Sequence, residues 1–226
     1  MNRMARRGPF TGHHRRYDRW FERHSAAYLS ELLAVRALLP WTGRGLEIGV
    51  GTGRFAQPLG VQFGIDPSPE MLAYARRRSV TVVQAVGEAL PFASAVFDYA
   101  LIVTTICFAR DTPAMLREAK RVLRPGGVLV IGLVDRASRL GREYLGRRQD
   151  NVFYREATFY SADEIEGLLA AAGFCAFRWV QTLCDRLSPE REAVPFSPGT
   201  GRGGFVVVQA RSQPSPPVVS DASSGM

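Results

Sequence analysis

The stretch LEIGVGTGRF, Leu46 to Phe55, constrains the chain more than any other. A short apolar run ends in Gly49, Gly51 and Gly53, with Glu47 two residues ahead of the first glycine. Glycine reaches backbone conformations closed to other residues and lets a ligand lie against the main chain. A helix starting after such a bend turns free N–H groups and a partial positive charge toward it, which suits an anionic group. The spacing is G-x-G-x-G. A dinucleotide fingerprint reads G-x-G-x-x-G and a P-loop runs into G-K-[ST], so neither pattern is met. A tight turn without a ligand is the plain structural alternative.

The surrounding pattern alternates strands with helices. RGLEIGV, VQFGID, VTVVQA, FDYALIVTTICF and GVLVIGLVD read as five strands. Between them, RFAQPLG reads as a brief helix interrupted by Pro58 and stopped by Gly60. SPEMLAYARRR has Ser68 as N-cap, Pro69 at the first helical position and Glu70 in the first turn. TPAMLREAKRVL starts at Thr112 and Pro113, and RPGG is the turn that stops it. Ahead of the glycines, YDRWFERHSAAYLSELLAVRALLP reads as one helix closed by Pro40. After the fifth strand come a segment from Arg136 to Tyr160 with a short basic helix, and then a helix capped by Ser161 and ended by Gly173. FCAFRWVQTL and GGFVVVQA read as a final antiparallel hairpin. The order predicts an α/β fold: a mostly parallel seven-stranded sheet with helices on both faces. Its ligand belongs beyond the carboxyl ends of the strands, where the topology reverses. Residues 13–211 form one expected domain, flanked by a disordered basic arm at 1–12 and a disordered Pro/Ser-rich tail at 212–226.

Asp66 ends the second strand, 17 residues after Gly49. An acid there can accept hydrogen bonds from both hydroxyls of a ribose. Capping of the helix that follows is the alternative reading. Together, the glycine bend and the strand-end acid point to a nucleoside ligand.

Composition excludes several classes. No apolar run approaches the roughly 18 residues of a membrane span, and no apolar segment follows the basic start. Cys107, Cys175 and Cys184 are too widely spaced for a zinc site, and their odd number suggests reduced thiols in the cytoplasm. The formal charge is +8, carried by arginine with Lys120 as the single lysine. Seven arginines lie in residues 1–24. A solvated arm, contact with RNA, or contact with an anionic small substrate would each account for them.

LEIGVGTGRF, GIDPSPEMLAYAR, GEALPF, FDYALIVTTICF and EAKRVLRPGGVLVI, in that order and spacing, resemble the successive motifs of class I S-adenosylmethionine-dependent methyltransferases. The closest group is the small-molecule type called type 11. The resemblance runs from about Tyr17 to Asp135 and resumes at GGFVVVQA. It implies a three-layer Rossmann-like fold, S-adenosylmethionine as methyl donor and S-adenosylhomocysteine as product. It implies that Gly49, Gly51 and Gly53 lie under the methionine part of the donor, and that Glu47 helps hold its amino group. Asp66 matches the ribose acid, and Pro67 and Met71 match positions flanking the adenine. Gly87, Glu88 and Ala89 match the segment along the adenine edge, and Thr104 matches the residue whose backbone faces the amino group. Tyr17 resembles the aromatic that closes over the donor. One departure stands out. Many relatives carry Asp where Val86 stands, so the backbone at Gly87–Glu88 or the Glu88 side chain must meet the adenine amino group.

Methyl transfer from a sulfonium is an in-line displacement that needs no metal, and holding the acceptor in line supplies much of the acceleration. No catalytic residue is evident. His13, His14 and His24 are expected at the surface, His24 being the one whose helix should flank the site. Cys107 is expected to be an inert buried thiol. The acceptor is expected to be a small molecule held by the N-terminal helix and the 136–160 segment, which carries Tyr144, Phe153, Tyr154, Phe159 and Tyr160. RNA methylation through the basic arm and donor binding without catalysis are the alternatives. TTICF stands where amino-methylating RNA enzymes usually show [DN]-P-P-[YF].

Overall fold

The computed structural model describes residues 12–184 and 192–213. The first eleven residues of the expected arm, and the expected tail beyond Gln213, lie outside them.

Five strands run parallel: β1 (Gly45–Ile48), β2 (Phe63–Asp66), β3 (Thr81–Gln84), β4 (Phe97–Val103) and β5 (Leu123–Val134). Three more complete one eight-stranded sheet: β6 (Phe174–Thr182), the two-residue β7 (Ser197–Pro198) and β8 (Phe205–Ser212). The order is β3-β2-β1-β4-β5-β8-β6-β7, with β8 antiparallel to both β5 and β6. The expected hairpin is therefore present, and β7 at the edge adds an eighth strand. β8 extends to Ser212, which is buried and lies opposite Phe174, so the domain reaches one residue into the expected tail.

Alternation sorts the strands between two cores. Tyr99, Leu101 and Val103 of β4 and Val128 and Val130 of β5 face one layer. That layer holds residues of α2 (Ser25–Leu38), α3 (Ala56–Leu59) and α4 (Pro69–Arg77). Ala100, Ile102, Leu129 and Ile131 face the other, packed with α5 (Thr112–Val122) and α7 (Ala162–Ala171). Covered on both sides, the central strands read as continuous apolar runs.

Local chemistry sets the boundaries. Ser68 accepts from the Met71 N–H at 3.3 Å, as its N-cap position predicts. Ser161 and Glu164 form a reciprocal capping box. Four expectations need correction. The N-terminal helix is two, α1 (His14–Arg23) and α2, broken at His24, where φ −119° and ψ 44° leave the helical region. α2 packs on β5, β6 and β8, while α1 turns away to lie over the loop that follows β1. β4 stops at Val103, because Thr104 turns with φ +48° and residues 106–108 form a 3₁₀ turn. α5 is capped by Asp111, which accepts from the Ala114 N–H at 2.8 Å. RPGG interrupts β5 rather than preceding it: Gly126 has φ +75°, and the register with β4 shifts across it. The 136–160 segment forms α6 (Arg139–Gly146), a 3₁₀ turn at Arg148–Asp150 and a run of turns at residues 152–156.

Candidate functional site

β1 leads to β2 on one side and β4 lies on the other, so the sheet reverses between β1 and β4. The loops leaving these two strands meet there. Gly49, Gly51 and Gly53 all have left-handed φ, at +78°, +51° and +82°. The Gly49 and Val50 N–H groups both donate to the Ile65 carbonyl at 2.8 Å, which folds the bend back over β2. Thr105 Oγ1 donates to the Gly49 carbonyl at 3.2 Å or to that of Val103 at 3.0 Å, tying the bend to the end of β4.

Asp66 stands at the end of β2 beside this bend. Its Oδ2 accepts from the Gly51 N–H at 3.1 Å and its Oδ1 from the Ser68 N–H at 2.8 Å. A carboxylate oxygen has a second lone pair, so each remains able to accept once more. Burial pushes the Asp66 carboxyl up to about 6, against the two N–H groups, which favour its anion.

Glu47 is 2% exposed on β1, and its Oε2 has no hydrogen-bond partner. Burial drives its carboxyl well above the ordinary range. The Ala56 N–H opposes that shift and the Asp66 charge adds to it. An orphaned buried carboxyl oxygen is costly unless a donor or cation reaches it.

Tyr17 of α1 covers the bend. A Cβ on Gly51 would lie 3.6 Å from its Cε1 and Oη. Burial first, then the charges of Glu47 and Asp66, raise the Tyr17 phenol far above its usual range, so it stays neutral. α1 is clamped in this position. Arg54, just after Gly53, forks onto both Asp18 oxygens at 2.8 Å and reaches Glu22 at 2.9 Å. Arg78 bonds Asp18 at 3.1 Å and the Thr52 carbonyl at 2.7 Å. Sequence reasoning missed this clamp, whose one signal was an aspartate among arginines.

The other expected residues line up along the same edge. Pro67 is exposed directly after Asp66, and Met71 is buried in the first turn of α4. Gly87 is buried close to β1: a Cβ there would stand 3.0 Å from Ile48 Cγ2 and 2.5 Å from Met115 Cε. Val86 to Ala89 is a tight turn closed by the Ala89 N–H on the Val86 carbonyl at 3.2 Å. The Glu88 Oε1 accepts from the Arg110 N–H at 2.8 Å, just ahead of α5. Its Oε2 makes no hydrogen bond to another described residue, so both substitutes expected for the absent Asp at position 86, the backbone of Gly87–Glu88 and the Glu88 side chain, stay open. The Thr104 N–H donates to the Gly132 carbonyl at 2.8 Å, leaving its positive-φ backbone at the open end of β4.

His24 is exposed, stacked on Trp20 at 4.8 Å, with Nδ1 3.0 Å from the Trp20 carbonyl. His13 and His14 are half-buried against Phe153 and Tyr74. Burial pushes the Cys107 thiol up to about 12, which makes it a poor nucleophile. Among the described residues no cluster could hold a metal ion, and no helix is long and apolar enough to cross a membrane.

A family described as a methyltransferase domain matches residues 46–131. The chain is 48% identical to a SAM-dependent methyltransferase of Thermotoga maritima, described as a possible histamine N-methyltransferase. That crystal structure superposes with a TM-score of 0.88, covering 91% of this chain and 98% of the other. An uncharacterised protein of Methanocaldococcus jannaschii is 43% identical over 86% of this chain and 94% of its own. The demethylmenaquinone methyltransferase of Corynebacterium kroppenstedtii is 40% identical over 37% of this chain and 36% of its own. With the eight-stranded mixed sheet, these likenesses establish that the chain belongs to the class I S-adenosylmethionine-dependent methyltransferases, in the type 11 group.

Proposed function

We propose that the cleft over β1 and β2 holds S-adenosylmethionine and that the enzyme methylates a small-molecule acceptor beside it. The observation that carries this reading is the pair of under-satisfied carboxyls at the bend. Glu47 keeps one buried oxygen without a partner, and Asp66 keeps a lone pair on each oxygen. An ammonium group suits the first and a vicinal diol the second.

On this reading Glu47 and the backbone of Gly49, Gly51, Gly53 and Thr104 hold the methionine portion, and Asp66 binds the ribose. Pro67, Met71, Gly87, Ala89 and the Glu88 backbone flank the adenine, while Tyr17 excludes water from above. The bound donor supplies an activated methyl group on a positive sulfur. The protein's own task is to orient that group and the acceptor, for which preformed geometry contributes up to roughly 7–11 kcal/mol. Cys107, Cys175 and Cys184 are free thiols, in keeping with a reducing cytoplasmic setting. The test is calorimetric titration with S-adenosylhomocysteine. Micromolar binding that Asp66→Ala weakens at least tenfold is expected, and no binding at millimolar ligand overturns the reading.

A further inference from the structure

Two segments far apart in sequence close over the loops at the sheet's reversal point. α1 lies over the bend after β1, where the Tyr17 ring covers Gly51. The turns at 152–156 lie beside the end of β4, to which the Thr158 N–H is tied by its 2.8 Å bond to the Cys107 carbonyl. The segments meet at Phe153, whose half-buried ring is gripped by three residues at the start of α1. His13 and Tyr17 stand edge-on to it at 6.0 and 6.3 Å, and the Arg16 guanidinium lies over it, 5.7 Å from its centroid. Positions three and four apart share one face of a helix, and both edge-on rings and a cation over a ring face are favourable arrangements.

Phe153 is aimed by bonds that α1 does not share. The Asn151 Oδ1 accepts from the Phe153 N–H at 3.0 Å, and the Asn151 carbonyl from the Tyr154 N–H at 3.0 Å. Arg148 Nε donates to the Arg155 carbonyl at 2.9 Å. Tyr154 stacks on Tyr144 of α6 at 5.1 Å and meets Phe159 at 5.5 Å.

The start of α1 needs such a hold. Its N-cap residue, His13, makes no side-chain capping bond, and its first turn carries no acid. Arg15 and Arg16 instead put positive charge at the positive end of the helix dipole. The helix is cut from α2 at His24, and the Arg54 and Arg78 clamp acts at Asp18, beyond the first turn. Phe153 is therefore what steadies the turn that carries Tyr17.

We propose that Phe153 is a positioning residue that seats Tyr17 on the bend, so that closure over the donor and assembly of the wall beside β4 occur as one step. This rests on the donor reading above. With the contact made, the donor site opens only when both segments part, and release of S-adenosylhomocysteine is set by that opening. A change on either segment is felt on the other, as linked equilibria require.

The experiment uses the full chain. Labelled S-adenosylhomocysteine is bound and then chased with unlabelled ligand. Phe153→Ala should speed its release about three- to tenfold, the effect of losing roughly one aromatic pair. Tyr17→Ala should speed it at least as much. The double variant should stay within about twofold of Tyr17→Ala, because Phe153 acts through Tyr17. Limited trypsin digestion of the ligand-free protein reads each change on the other segment. Phe153→Ala should raise cleavage at Arg15, Arg16 and Arg19 at least threefold, and Tyr17→Ala should do the same at Arg148 and Arg155. If Phe153→Ala fails to fold, Phe153→Leu, which keeps apolar bulk without the ring, carries the same comparisons. Unchanged release, release in the double variant that multiplies the two single effects, or cleavage raised only on the segment that carries the change each overturns the proposal. Wild-type protein that binds no S-adenosylhomocysteine would instead remove the donor reading, and the digestion pattern then still decides whether Phe153 joins the two segments.

Discussion

Gly49 and Thr105 approach so closely that a Cβ on the glycine would stand 2.1 Å from the threonine Cγ2. The two loops at the sheet's reversal point are therefore in direct register, and the contact is possible only without a side chain at position 49. Gly49→Ala meets both this overlap and a φ of +78°. Left-handed strain of roughly 1–2 kcal/mol and overpacking of about 1–3 kcal/mol predict a total loss near 2–5 kcal/mol. Urea denaturation should show it, and Thr105→Ala in the same chain should recover part of it.

Asp66→Asn keeps the shape but removes the charge and one acceptor. Charge-assisted hydrogen bonds contribute roughly 1.5–3 kcal/mol each, so S-adenosylhomocysteine affinity should fall about 10- to 100-fold. The Asp66 carboxyl titrates near 6, and only its anion accepts on both oxygens. Wild-type affinity should thus decline as the pH drops below about 6, and the variant should lose that dependence on Asp66. Affinities measured from pH 5 to 8 test both statements.

Glu31 gives stability its own pH dependence. Its folded carboxyl is raised from about 4.5 to about 8, so the folded state holds the proton more tightly than the unfolded chain. The resulting stabilisation is full below about 4.5 and is lost as the pH rises toward 8. A shift of this size corresponds to about 5 kcal/mol. Glu47 acts in the same direction. Thermal unfolding of the ligand-free protein should therefore move to lower temperature between pH 5 and pH 8, and Glu31→Gln should flatten that slope.

Asp18→Asn should loosen α1 without unfolding the sheet. It leaves Arg54 and Arg78 facing a neutral amide, at a cost of about 1–3 kcal/mol given the partial exposure of all three groups. Trypsin should cut faster at Arg15, Arg16 and Arg19 of α1, and the apparent KM for S-adenosylmethionine should rise at least threefold. Unchanged proteolysis would mean that α1 is held by its aromatic packing instead.

Much of the fold was legible because each strand and helix announced itself locally. Ser68, Ser161 and Gly173 mark boundaries that depend on neighbours within four residues, and the structure places caps and turns there. The breaks at His24 and Thr104 were not legible, since both arise where tertiary contact turns the chain away from a favourable local pattern. At the candidate site, Glu47, the glycines and Asp66 were readable as a spacing. The clamp was not, because Asp18 and its partners Arg54 and Arg78 are 36 and 60 residues apart. Glu31 sits in YLSELLAVRALL as one acid on an apolar helix, and only the packing of α2 on β5, β6 and β8, far along the chain, buries it.

The sheet order also governs assembly during synthesis. β8 lies between β5 and β6 yet follows both along the chain, and it is β6's bonded neighbour toward the parallel half. Until residues 205–212 leave the ribosome, the edge of β5 stays open and β6 cannot join it. The nascent chain must therefore carry an unfinished five-stranded half, exposed to aggregation through that edge.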